Sequence, residues 1–189
     1  MKNALQYSHS LLNDLIHRFP NGLFIDATLG KGHDTAFILE QKHFTGQVIA
    51  FDIQEQAIQL AQERLEKFPN HQYHLFHASH DALNEMLPVH DYPEIHGAIF
   101  NLGYLPGGDH SITTQFHTTL AAIIQIQERL VSQGQIILVL YSGHPQGLQE
   151  KASLLEKLKA WPQKDYTICH LEYLNQDNSP PSLLIIEKK

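Results

Sequence analysis

Leu23-Phe24-Ile25-Asp26-Ala27-Thr28-Leu29-Gly30-Lys31-Gly32-His33-Asp34-Thr35 opens as an apolar run, passes through two closely spaced glycines and leads into a helical pattern. A short strand followed by a glycine turn and a helix is the first unit of an open α/β sheet, where the glycines let backbone approach a ligand closely. The same alternation continues along the chain. Strands are expected at Val48 to Asp52, Tyr73 to Phe76, Ala98 to Phe100 and Gln135 to Leu140. Helices are expected at His33 to Gln41, Gln54 to Lys67, Asp81 to Leu87 and Thr113 to Ser132, where apolar residues recur every three or four positions. Repeated strand-helix units predict a parallel sheet. Before the first strand, Leu11, Leu12, Leu15 and Ile16 share one helical face that stops at Pro20-Asn21-Gly22, and this helix is placed to cap the ligand cleft.

Beyond the fifth strand, Gln146 to Ala160 reads as a helix and Tyr166 to Tyr173 and Leu183 to Glu187 as strands, separated by a polar turn holding Pro180-Pro181. The expected architecture is α/β and Rossmann-like, of the class I methyltransferase type. It has seven mostly parallel strands, an antiparallel C-terminal strand and helices on both faces, in one domain spanning residues 1–189. Nicotinamide-binding Rossmann domains, by contrast, continue in parallel.

Composition narrows the class further. Apolar residues make up 42% of the 189-residue chain and charged residues 17%, the balance of an ordinary globular protein. The longest apolar runs, Ile136 to Tyr141 and Leu183 to Ile186, are far short of the roughly 20 residues that span a bilayer, and the start of the chain lacks the apolar centre of a secretory signal. No membrane association and a cytoplasmic setting are expected. A net charge of −7 argues against wholesale binding of nucleic acid, so any RNA must meet a local patch. The 14 histidines are scattered without metal-ligand spacing, and no metal is expected. The lone cysteine, Cys169, lies in a β-like run and is expected to be a buried structural thiol.

Four positions carry chemistry. Asp26, at the end of the first strand, would repel a pyrophosphate but attract the ammonium of a methionine moiety, directly or through water, which favours S-adenosylmethionine over a dinucleotide. The competing reading of this turn is a capped helix start. Asp52 ends the second strand 20 residues beyond Gly32, where a carboxylate accepts hydrogen bonds from both ribose hydroxyls, or else caps the following helix. Ser79-His80-Asp81 follows the third strand, where an adenine would lie; a plain N-cap at Ser79 is the alternative. The fourth strand runs into Asn101-Leu102-Gly103-Tyr104-Leu105-Pro106-Gly107-Gly108-Asp109-His110, at the sheet edge where open α/β folds bind ligands. Enzymes that methylate exocyclic nitrogens often place Asn or Asp here, with an aromatic three residues on. The amide oxygen and the Leu102 carbonyl orient an amine while the ring of Tyr104 stacks on the base. A glycine-rich loop around a buried tyrosine is the structural alternative.

Taken together, Asp26 to Thr35, Phe51-Asp52-Ile53-Gln54, Ser79-His80 and Asn101 to Asp109 resemble the YtqB family of rRNA methylases, which includes the tRNA methyltransferase MnmM. The likeness continues through Tyr141-Ser142-Gly143-His144, Gly147, Glu150, Asn175, Asn178, Pro180-Pro181 and Ile186-Glu187-Lys188. Lys31, His110 and Ser142 stand where that family more often has asparagine, lysine and proline. The resemblance implies S-adenosylmethionine as cofactor and N-methylation of the 5-aminomethyl group of 5-aminomethyl-2-thiouridine at the wobble position of tRNA. The partners it implies are the tRNA anticodon region and a second copy of the chain. Cofactor contacts are expected from Asp26, Thr28, Gly30, Lys31, Gly32, Asp52, Gln54, Ser79, His80 and Asn101. Asn101 and Tyr104 are expected to be catalytic, and Tyr104, Gly107, Gly108, Asp109 and His144 to meet the substrate. Other readings are methylation of rRNA or another tRNA position, a dinucleotide oxidoreductase and a non-catalytic RNA-binding protein. Asp26, Thr35 in place of a third glycine, and the antiparallel end all disfavour the oxidoreductase.

Overall fold

The computed structural model describes residues 1–103, 114–143 and 145–189. Seven strands, β1 (Leu23–Asp26), β2 (Gln47–Asp52), β3 (Tyr73–His77), β4 (Ile95–Leu102), β5 (Leu130–Leu140), β6 (Tyr166–Leu171) and β7 (Ser182–Lys188), form one sheet in the order β3-β2-β1-β4-β5-β7-β6. Strands β1 to β5 pair in parallel, while β7 runs antiparallel to both β5 and β6. The strand order reverses between β1 and β4, which opens a crevice beyond their carboxyl ends. The expected fold and its single antiparallel strand are therefore what the chain adopts, with β7 inserted inside the sheet and β6 left as the edge.

Helices α1 (Ala4–Arg18), α2 (His33–Leu39) and α3 (Glu55–Leu65) cover one face, and α4 (Leu83–Met86), α5 (Phe116–Arg129) and α6 (Pro145–Lys159) cover the other. Side chains alternate across each strand, so Phe24, Ile99, Ile137 and Val139 pack beneath α1 to α3, while Ile25, Phe100, Ile136 and Leu138 pack beneath α4 to α6. Leu12, Leu15 and Ile16 of α1 are buried as their spacing predicts. A capping box starts that helix: Asn3 Oδ1 accepts from the Gln6 amide at 2.8 Å and Gln6 Oε1 from the Asn3 amide at 3.0 Å. Among the described residues no helix is long and apolar enough to cross a membrane.

Two sequence expectations are corrected. Helix α5 ends at Arg129 instead of Ser132, and β5 begins at once with Leu130, paired to Ile95. Its polar stretch 132–134 interrupts the apolar pattern because the ladder is irregular here: the register shifts between Ile95 and Gly97, and Gln133 has a φ of 63°. Cys169 is exposed, not buried. It sits on the edge strand β6, whose residues Thr167, Cys169 and Leu171 share a face left open to solvent.

Candidate active site

The loop from β1 into α2 is shaped by two left-handed residues, Gly30 (φ 51°) and Gly32 (φ 74°). A side chain on Gly32 would lie 3.1 Å from Ala61 Cβ of α3, so this glycine serves the turn and close helix approach. The loop is tied to β2 by Asp52, whose Oδ2 accepts from the Gly30 amide at 2.8 Å and whose Oδ1 accepts from the Gln54 amide at 2.9 Å. Each carboxylate oxygen has a second lone pair left for a ligand. Asp52 is thus both the turn-former before α3 and an acceptor in the cavity wall; the two readings are compatible.

Beyond the carboxyl ends of β1, β2 and β4 lies a cavity of about 840 Å³, within the roughly 300–1,000 Å³ of small-molecule sites. Of the residues expected at the cofactor, Thr28, Gly30, Lys31, Asp52, Gln54, Ser79, His80 and Asn101 line it. Two of the expected cofactor residues, Asp26 and Gly32, do not. Asp26 is sealed under the loop with no solvent exposure, accepting from Thr35 Oγ1 at 2.7 Å and from the Thr28 amide at 3.3 Å. Tyr104, Gly107, Gly108, Asp109, His110 and His144 lie outside the described residues. In a second, shallower groove beside Lys31, Leu60, Glu63, Arg64 and Lys67, Lys67 pairs with Glu40 and Arg64 donates to the Lys31 carbonyl.

Burial and the neighbouring Asp34 charge push the Asp26 carboxyl up to about 7, against the hydrogen bonds from Thr35 and Thr28. An unfolded aspartate ionises near 4, about three units lower. Folding therefore takes up a proton in between, so this group's contribution to stability is greatest below about pH 4 and is lost as pH rises towards 7. The free energy of urea unfolding is expected to fall more steeply from pH 5 to 7 in the wild type than in Asp26→Asn. Parallel profiles would contradict this.

His80 is 8% exposed; its Nδ1 lies 3.0 Å from the Ala27 carbonyl, and its Nε2 has no hydrogen-bond partner among the described residues. Donation from Nδ1 leaves Nε2 as an acceptor. Burial pushes this imidazole towards its neutral form. Ser79 precedes the short 3-10 turn His80–Ala82 but makes no side-chain cap, so the plain N-cap reading fails there. Ile53 is 53% exposed, an apolar surface at the cavity rim.

At the far end Asn101 is fixed by two contacts. Its amide N–H donates to Thr28 Oγ1 at 2.7 Å, and its side-chain Nδ2 donates to Asp34 Oδ2 at 2.5 Å. A carboxylate only accepts, so Asp34 sets the orientation of the amide and leaves Asn101 Oδ1 as an acceptor for a ligand. Asp34 Oδ1 in turn meets His9 Nε2 of α1 at 2.6 Å. Neither Asp34 nor His9 was assigned a role from sequence. The available signal was the expectation that the first helix caps the cleft: Leu5, one turn before His9, lines the cavity. Tyr141, Ser142 and Gly143 after β5, and Ser179 and Pro181 of the β6–β7 turn, complete the wall. The return into α5 is anchored by Glu150, which accepts from Thr114 and Thr119 at 2.7 Å each.

A sheet of this order with a nucleoside-sized cleft over the β1 loop is the fold of class I methyltransferases. The model of the family described as "Putative rRNA methylase" matches residues 48–187, and the chain belongs to this family. The tRNA (mnm(5)s(2)U34)-methyltransferase, chloroplastic, of Arabidopsis thaliana is 32% identical over 201 residues, covering 100% of this chain and 70% of that one. A protein of Clostridium thermocellum solved as a putative rRNA-methylase is 36% identical, with a TM-score of 0.90 over 100% of this chain and 99% of its own. A putative methyltransferase of Streptococcus mutans, solved in complex with SAH, is 37% identical with a TM-score of 0.87, again over 100% and 99%.

Proposed function

We propose that the chain is an S-adenosylmethionine-dependent tRNA methyltransferase that converts 5-aminomethyl-2-thiouridine at the wobble position to 5-methylaminomethyl-2-thiouridine. The observation that carries this reading is Asn101, whose side-chain oxygen is left to accept while Asp34 holds the amide nitrogen. That arrangement suits a primary amine, which needs an acceptor for an N–H so that its lone pair points away along the line of attack. The name of the Arabidopsis relative supports the same acceptor.

The residues present fit S-adenosylmethionine. Asp52 keeps lone pairs for two ribose hydroxyls, and the unpartnered His80 Nε2 is an acceptor suited to an adenine amino group. Ile53 offers an apolar surface to the adenine ring, and Gly30 lines the same cavity. When bound, this cofactor supplies a methyl group activated by a positively charged sulfur. Thr28, fixed against the Asn101 backbone, and Gln54 and Ser79 in the wall frame the nucleoside. In this reading Asp26 acts through the loop, holding Thr28 and Thr35 in place, and not by touching the ligand. Asn101 Oδ1 orients the acceptor nitrogen, whereas the Leu102 carbonyl accepts from the Tyr141 amide at 3.1 Å, and the cleft walls exclude water. On the acceptor side the reading assigns Tyr104 to stacking on the uridine, and Gly107, Gly108, Asp109 and His144 to the RNA entrance. The tRNA anticodon region as partner, a twofold assembly and a cytoplasmic setting belong to the same proposal.

The test is transfer of labelled methyl from S-adenosylmethionine to tRNA carrying 5-aminomethyl-2-thiouridine, followed by nucleoside mass spectrometry. The expected product is the methylaminomethyl nucleoside. Label in any other nucleoside would refute the acceptor, and no label in RNA would refute the activity.

A further inference from the structure

The contacts of Asp34 extend past the role just given to Asn101. One oxygen orients the Asn101 amide, and the other meets His9 Nε2 at 2.6 Å. The carboxylate side chain is 9% exposed, whereas that of His9 is 29% exposed, so the pair runs from the cavity wall to solvent. The His9 ring is held flat against Phe37, with centroids 4.1 Å apart and planes 16° from parallel.

Methylation of an amine by a sulfonium must release a proton. An alkylamine arrives as an ammonium ion, which has no lone pair; ammonium and sulfonium become methylammonium, thioether and one proton. The Asn101 amide orients the nitrogen but is no base. We propose that Asp34 takes this proton from the acceptor ammonium and that His9 conducts it to solvent. This rests on the amine reading above. The acceptor N–H bond breaks as its proton passes to the remaining lone pair of Asp34 Oδ2. The freed nitrogen pair then forms the N–C bond, and the C–S pair stays on sulfur. At rest His9 Nε2–H donates to the carboxylate; once Asp34 is protonated, exchange with water moves the ring proton to Nδ1, Nε2 takes the carboxyl proton, and the imidazolium releases its Nδ1 proton to water, which restores the Nε2–H donor. Asp34 touches the substrate in this scheme, and His9, acting through it, is a positioning residue.

Other groups face the pair from each neighbouring element. Asp26 lies below at the end of β1, and Tyr141 after β5 is pushed up by burial and by Asp34, which keeps its phenol neutral. His33 at the start of α2 is pushed down, by burial first and then by Arg64 of α3, with Lys31 and His9 in the same sense and Asp34 opposing. Of these groups, His9 is the one that joins the cavity carboxylate to solvent.

The experiment measures single-turnover methyl transfer to tRNA bearing 5-aminomethyl-2-thiouridine from pH 5.5 to 9.5. It compares the full-length wild type with His9→Gln, His9→Asn and Asp34→Asn. The wild-type rate is expected to rise with pH to a plateau near neutrality. Both His9 variants should be slower at pH 7 by about 100-fold, the range of general acid-base catalysis. Their rates should keep climbing with unit slope to pH 9, as solution deprotonates the amine, and added imidazole should restore part of the loss. Affinity for S-adenosylmethionine by calorimetry should stay within about threefold throughout, because the cofactor is held elsewhere. A His9 variant profile parallel to that of the wild type would overturn the proposal, as would an equal loss of cofactor affinity in Asp34→Asn, which would place Asp34 on the cofactor. A wild type that transfers nothing to the amine would overturn the amine reading and this proposal with it.

Discussion

Asn101→Ala is expected to lower the single-turnover rate by about 100-fold or more while changing S-adenosylmethionine affinity by less than about fivefold. The asymmetry follows from where the side chain points. Its nitrogen is committed to Asp34, so its oxygen is the group left to fix an acceptor amine. Losing that contact leaves the nitrogen free to rotate away from the methyl group, and misplacement of about 1 Å costs on the order of 100-fold. The cofactor keeps Asp52, the Gly30 loop and His80, none of which depends on the Asn101 side chain. Stopped-flow turnover and calorimetry on the same preparation separate the two quantities. Equal losses in both would show that Asn101 serves the cofactor instead.

Asp52→Ala is expected to act in the opposite way, weakening S-adenosylmethionine binding by about 100-fold or more. Two ribose hydroxyls bonded to a carboxylate contribute roughly 1.5–3 kcal/mol each, and each 1.4 kcal/mol is about tenfold in affinity. The substitution also strips the Gly30 and Gln54 amides of their shared acceptor, so the glycine loop loses its tie to β2. Asp52→Asn, which retains one acceptor oxygen, should lose about tenfold. A folded Asp52→Ala protein that binds within threefold of the wild type would remove the ribose assignment.

The parts of this site that could be read from sequence are those whose meaning depends on position along one strand. Asp52, Ser79, His80 and Asn101 each follow an apolar run, and the sheet delivers the ends of those runs to one edge, so they meet in the cavity. Asp26 obeys the same rule yet stays under the loop, because the turn folds back and Thr35 and Thr28 satisfy its carboxylate. Gly32 was legible as a turn residue, but its tight contact with Ala61 depends on how α3 crosses the loop. Asp34 and His9 are 25 residues apart, and Asp34 and Asn101 are 67 apart. No local pattern marks such pairs; they form because α1 and α2 pack side by side on one face of the sheet. The contribution of Ser179 and Pro181 was hidden for a topological reason. Strand β6 runs alongside the parallel strands and β7 returns, so the turn between them falls at the same edge as the glycine loop.

Fold followed the same division. Apolar runs such as Val48 to Asp52 announced their strands, and alternate residues sorted themselves onto the two faces. The start of β5 was invisible because residues 132–134 are polar or glycine and the ladder there shifts register. Cys169 looked buried because a β-rich run implies two covered faces, a rule that fails on an edge strand.

Nucleoside mass spectrometry of tRNA from cells lacking this protein tests the central claim most directly. Accumulation of 5-aminomethyl-2-thiouridine with loss of its methylated product is the predicted result, and an unchanged wobble nucleoside profile would contradict it.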